Sequence, residues 1–316
     1  MMSSIEEGIL KLQQPENKLE VVHFIFENVS TRYHVVGVSD KDEKNNLGDY
    51  QNMTYFLMDK SNRKTLVIDP GIRGEKGYYI KETLKIRDYL SVLTHFHLDH
   101  WIGYLPYKDR DIYASQTCID VLTGKRKTIK TFENGKLADG HRRETPQIAI
   151  YDAESKLPLE GQLIKPINEF ANPYFPIQFY ELPGQTLGML YGVMETDNEK
   201  IVFGSDLFIS LVTKTGEIIL KVEPHYDFET DTRVIDNIMV ALNAVLSESI
   251  LLSEKDMSYY NEKYPNFEEH LKKLAKPNRL LLGHGIILMD CFYKGKIKEL
   301  LTGLNIRNDA DKRYVI

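Results

Sequence analysis

The sequence predicts a layered α/β domain, on three observations. Apolar runs of strand length are frequent, runs of helical period lie between and after them, and the two kinds alternate in blocks. No internal repeat, low-complexity tract or Pro/Gly/Ser-rich linker interrupts the 316 residues, so residues 1–316 read as a single domain.

The elements follow in order. Val21 to Phe26, Tyr33 to Val38, Met53 to Met58 and Thr65 to Ile68 are rich in β-branched and aromatic residues and read as strands. The last of them stops at Asp69-Pro70-Gly71, which is turn chemistry. A helix is expected over Gly77 to Lys85, then a short apolar strand over Tyr89 to Leu93. In the second half, strands are expected at Ile177 to Leu182, Gly188 to Glu195, Lys200 to Phe203 and Ile218 to Val222. From Thr232 to Leu246, Val234, Ile235, Ile238, Leu242, Val245 and Leu246 recur mostly at three- and four-residue intervals. That is one buried helix face and therefore core. Pro265 to Leu274 reads as another helix, and Arg279 to Leu282 as a last buried strand ending at Gly283-His284-Gly285.

Composition bounds the function. A hydrophobic fraction of 42%, a charged fraction of 27% and a mean hydropathy of -0.35 describe a soluble chain able to bury a core around a dry site. The formal charge of -6 and pI near 5.9 argue against nucleic acid, whose phosphates call for clustered Lys and Arg. The main basic run, Lys125-Arg126-Lys127 with Lys130, reads as a solvated loop. Cys118 and Cys291 lack the spacing of a zinc knuckle or redox pair and read as free thiols in a reducing compartment. Met1 to Gln14 has acidic Glu6 and Glu7 and no apolar core of signal-peptide length. No stretch approaches the roughly 18 apolar residues of a membrane span. A cytoplasmic protein with a small-molecule substrate and no membrane partner is expected.

The chemistry concentrates in Thr94-His95-Phe96-His97-Leu98-Asp99-His100. Residues two apart in an extended segment face the same side, so His95 and His97 are a chelating pair. If the chain turns into a helix at Asp99, then Asp99 and His100 swing toward a second ion. Imidazole and carboxylate suit zinc, iron and manganese. Three histidines and an aspartate within six residues are a poor match to chance when the chain holds only nine histidines.

This segment resembles the HxHxDH signature of the metallo-β-lactamase superfamily. Asp69 in Val67-Ile68-Asp69-Pro70-Gly71, Asp206 in Phe203-Gly204-Ser205-Asp206-Leu207 and His284 in Gly283-His284-Gly285 extend the likeness from about Met53 to Gly285. The resemblance implies a four-layer αββα sandwich, here with an N-terminal extension and an insertion between Asp206 and His284. It implies that His95 and His97 hold one divalent ion, that Asp99, His100 and His284 hold a second, and that Asp206 bridges them. Asp69 is implied to orient ligands without binding metal.

One segment departs from that pattern. Leu182-Pro183-Gly184-Gln185-Thr186-Leu187-Gly188 resembles the family's PGHTxG, with Gln185 in place of the usual histidine. A neutral carboxamide is a weaker zinc ligand than imidazole. Either the first site is weakly filled, or Gln185 binds a harder ion through oxygen, or another residue such as His225, and less so His141, substitutes. His23, His34 and His270 are assigned no chemistry. Tyrosines of Met257 to Tyr264 are candidates for a lid over substrate, with ordinary packing the simpler reading.

The implied function is hydrolysis of an ester, lactone or thioester by metal-activated water, with Asp99 managing the proton and one or two zinc ions as cofactor. The same resemblance leaves open a di-iron oxidoreductase or oxygenase, with iron or manganese in the site, and a binding protein that has lost turnover.

Overall fold

The computed structural model describes residues 3–27, 32–40, 52–123, 125, 164–182, 184, 186, 188–207, 209–212, 218–221, 240–241, 245 and 252–284. The fold is mixed α/β, and the chain divides into two compact units, Met1–Phe175 with Tyr226–Asp231 and Pro176–His225 with Thr232–Ile316.

The first unit opens on α1 (Ser4–Leu12), where only an N-terminal extension was expected. Its start is a capping box: the Ser3 side chain accepts from the Glu6 amide at 3.3 Å while the Ser3 amide donates to Glu6 Oε2 at 2.7 Å. Strands β1 (Leu19–Glu27), β2 (Arg32–Asp40), β3 (Met53–Asp59) and β4 (Lys64–Ile68) follow as an antiparallel meander. Helix α2 (Gly74–Thr83) then carries the chain across to β5 (Asp88–Val92), parallel to β4, as a parallel pairing requires. The short α3 (Leu98–Trp101), β6 (Ile112–Ala114), α4 (Gln116–Leu122) and β7 (Ile164–Pro166) complete a seven-stranded sheet in chain order.

The expected strands thus appear with small extensions, and the helix expected over Gly77 to Lys85 begins earlier. Gly77 lies inside it, and a Cβ there would meet the Ile72 carbonyl oxygen at 2.7 Å, which accounts for a glycine within a helix. Ile9 and Leu12 of α1 and Ile80 of α2 pack on Val36, Val38, Phe56, Met58 and Val67, so both helices cover one face of the sheet. Every residue of β3 is buried, the continuous apolar reading of a strand covered on both faces.

The second unit holds β8 (Ile177–Leu182), β9 (Met189–Glu195), β10 (Lys200–Ser205) and β13 (Arg279–Leu282) in a sheet of order β13-β10-β9-β8. The pairings are antiparallel except β10 with β13, which is parallel. Between them β11 (Ile209–Val212) and β12 (Ile218–Lys221) form a two-stranded ribbon. Helices α5 (Glu254–Lys263) and α6 (Phe267–Leu274) precede β13. The tyrosine-rich segment proposed as a lid is largely α5, where Tyr260 is buried and stacks on Phe267 at 4.7 Å, and Tyr264 is buried beside it; the packing reading holds for these two. Most of the helix expected over Thr232 to Leu246 lies outside the described residues, although Val240, Ala241 and Val245 are helical and buried. Each unit therefore has the sheet-with-helices build that the αββα expectation assigns to its halves.

Among the described residues no helix is long and apolar enough to cross a membrane. Cys118 is buried in α4, and Cys291, like Arg126, Lys127 and Lys130, lies outside the described residues.

Candidate metal centre

In both units the candidate ligands follow the carboxyl ends of a parallel strand pair, where open α/β sheets form their crevices. In the first unit β4 runs into Asp69, whose φ of 53° lies in the left-handed region that non-glycine residues rarely adopt. The turn is pinned at several points. The Asp69 amide donates to Val92 O at 3.0 Å, Thr54 Oγ1 donates to Asp69 O at 2.7 Å, and the Gly71 amide reaches Asp69 O at 2.7 Å and Thr54 Oγ1 at 3.1 Å. Strain held by so many partners is what functional turns store.

Neighbouring β5 runs into Thr94, His95, Phe96 and His97 before α3 begins at Leu98. The turn is fixed from below by buried Trp101, whose indole N–H donates to Phe96 O at 2.9 Å, and by the His100 amide donating to His97 O at 3.1 Å. Three imidazoles result in one cluster, with ring centroids 4.5 Å apart for His95 and His97 and 4.1 Å for His95 and His100. All three are buried, whereas the Asp99 side chain is 30% exposed. Asn52 donates a short hydrogen bond to the Asp99 carbonyl, and a Cβ on Gly71 would collide with both groups, so this approach requires a glycine.

The Asp69 carboxylate lies beneath the cluster. Its Oδ1 accepts the Thr94 amide at 2.7 Å, and its Oδ2 accepts the Thr94 hydroxyl at 2.6 Å and His100 Nδ1 at 2.8 Å. A histidine that donates from Nδ1 to a carboxylate presents the bare lone pair of Nε2, which is how proteins prepare imidazole for a metal. Burial and the charge of Asp69 push the Tyr55 phenol up, which keeps that hydroxyl neutral.

In the second unit the same logic recurs on β10 and β13. Ser205 closes β10 with φ 47°, and the Gly283 amide donates to Ser205 O at 2.7 Å. Asp206 and His284 follow these paired strand ends, both buried, with His284 Nε2 3.5 Å from Asp206 Oδ2. Tyr191 on β9 is fully buried, its phenol pushed up by burial and by Asp206. A Cβ on Gly184 would meet the Tyr191 hydroxyl and Met189 Sδ, so these side chains pack closely on the turn after β8. Within each unit the donors are imidazoles and carboxylates, the kinds of group that suit a divalent transition-metal ion.

No family model and no curated protein matches the chain. Solved structures similar to it include AidC, a dizinc quorum-quenching lactonase in complex with a product, at 17% identity over 60% of this chain and 76% of that one, TM-score 0.41. Two others are the hydrolase AbOPH of the beta-lactamase superfamily, at 10% identity over 84% and 90%, TM-score 0.44, and the DIM-1 metallo-β-lactamase, at 18% over 87% and 95%, TM-score 0.43. These are metallo-β-lactamase-superfamily structures. The site itself is read from this chain's own side chains.

Against the metallo-β-lactamase pattern, His95, His97, Asp99, His100 and Asp69 are brought together in the first unit, and Asp206 and His284 in the second. Gln185, where the pattern departs, and the candidate replacements His225 and His141 lie outside the described residues. Sequence reading missed Thr94, although it is quoted within the motif: a hydroxyl directly before the first histidine was the available signal. It also missed that His23 and His34 form a pair, with His23 Nε2 2.9 Å from His34 Nδ1, because they lie on different strands.

Proposed function

We propose that this chain is a metal-dependent hydrolase that opens a small-molecule ester, lactone or thioester with activated water. The observation that carries the reading is the buried cluster of His95, His97 and His100 with His100 held from behind by Asp69. By the resemblance, His95 and His97, with Gln185 or His225, would hold one ion and Asp99, His100 and His284 another, and Asp206 would serve both. Zinc is the expected metal, with iron or manganese as substitutes. Such ions, when bound, bring the pKa of water to about 7 and polarise the bond under attack.

The chain's own residues supply the rest. Asp99 is partly exposed beside the buried histidines, which supports giving its carboxylate the role of taking a proton from the attacking water and passing it to the leaving oxygen or sulfur. Asp69 keeps His100 in one tautomer throughout. The negative overall charge disfavours a polyphosphate substrate and favours a neutral or weakly charged one. The proposal places this activity in the cytoplasm, without nucleic-acid or membrane partners.

Elemental analysis of the purified full chain, paired with turnover of a panel of esters, lactones and thioesters, tests it. About two zinc ions per chain with chelator-sensitive turnover is the expected result. No bound metal and no metal-dependent stabilisation on heating would sink the proposal. Iron in place of zinc, with oxygen uptake and no hydrolysis, would transfer the site to oxidoreductase chemistry.

A further inference from the structure

Thr94 is buried between the Asp69 carboxylate and the His95 ring. Its hydroxyl is 2.6 Å from Asp69 Oδ2 on one side and 3.2 Å from His95 Nδ1 on the other. A hydroxyl has one proton and two lone pairs. With the carboxylate accepting that proton, only a lone pair remains for His95, so His95 Nδ1 has to be the donor. The same Oδ2 accepts from His100 Nδ1 at 2.8 Å. One carboxylate oxygen thereby determines two rings, His100 directly and His95 through one intervening hydroxyl, and in both Nε2 is the unprotonated nitrogen.

We infer that Thr94 is a positioning residue that extends the hold of Asp69 to His95, so that a single buried carboxylate sets the tautomers of ligands assigned to two different ions. The inference rests on the metal-hydrolase reading for its functional consequence, but the hydrogen-bond relay itself does not. The Thr94 amide donating to Asp69 Oδ1 at 2.7 Å locks the residue against the carboxylate, and β-branching restricts χ1 so that the hydroxyl stays between its two partners. A serine keeps the relay and loses the stiffness. A valine keeps the shape and loses the relay.

The test uses the full chain, stripped of metal and labelled with nitrogen-15, and reads histidine tautomers from long-range nitrogen–proton correlations. His95 and His100 are expected as the Nδ1–H tautomer in the parent. In Thr94→Val, His95 becomes a tautomer mixture while His100 is unchanged; in Thr94→Ser both remain Nδ1–H; in Asp69→Asn both lose the preference. Zinc competition on the same variants is expected to show one ion weakened roughly 10- to 100-fold in Thr94→Val and restored in Thr94→Ser. His95 protonated at Nε2 in the parent, or unaltered in Thr94→Val, overturns the inference, and the parent spectrum alone decides if the valine variant does not fold. A parent with the expected tautomers that binds no zinc leaves the relay standing and defeats the hydrolase reading instead.

Discussion

His34, a strand histidine with no assigned chemistry, shows what burial does to one side chain. It is fully buried on β2, stacked on His23 of β1 with ring centroids 5.1 Å apart, and its pKa is pushed down to about 4, first by burial and then by His23. Glu6 on α1 opposes the shift, while Arg32 on β2 and Lys60 after β3 add to it. Because the folded value lies below the ordinary 6.5, the unfolded chain takes up this proton first on acidification. Stability is therefore full above about pH 6.5 and falls as the pH drops toward about 4. Urea midpoints measured across that window should decline in the parent and decline less in His34→Asn; equal slopes would refute the assignment. At the candidate metal centre, the proposed function predicts that His97→Ala lowers metal content and abolishes turnover while the circular dichroism of the fold persists, since His97 caps α3 without a side-chain hydrogen bond to it.

At the scale of elements, the strands were legible because their apolar runs are local and long enough to show. The strands β8 and β13 coincide with their expected bounds, while α1, β6, α4 and β7 were not anticipated. Strands of three residues carry too little alternation to register, while α1 carries signals that went unread, the Ser3 and Glu6 capping pair and the helical spacing of Ile5, Ile9 and Leu12. Glycine positions explain the rest of the site's approach. A Cβ on Gly103, just after α3, would run into the Ile72 backbone, which cannot swing aside. Gly103→Ala should therefore cost about 1–3 kcal/mol in denaturant unfolding and disturb the loop behind the histidines. Gly74 has open space around it but a φ of 60°, so Gly74→Ala should cost only about 1–2 kcal/mol, from backbone strain alone.

For the molecule as a whole, the proposed metal site would link metal to stability. An ion bound only by the folded chain adds about 2.7 kcal/mol when present at a hundred times its Kd. Chelation should accordingly lower the melting temperature and zinc should restore it, and calorimetry at fixed protein concentration measures both. By itself, the sequence determined the α/β class, most strands and the identity of the candidate ligands, because strand runs and a six-residue motif are local and need no partner to be recognised. Only the tertiary structure decided that Asp206 and His284 meet, since that depends on β10 and β13 pairing in parallel. It alone decided that Asp69 reaches both Thr94 and His100, because a hydrogen bond of 2.6 to 2.8 Å is set by how β4 and β5 lie in register and by no property of either segment alone.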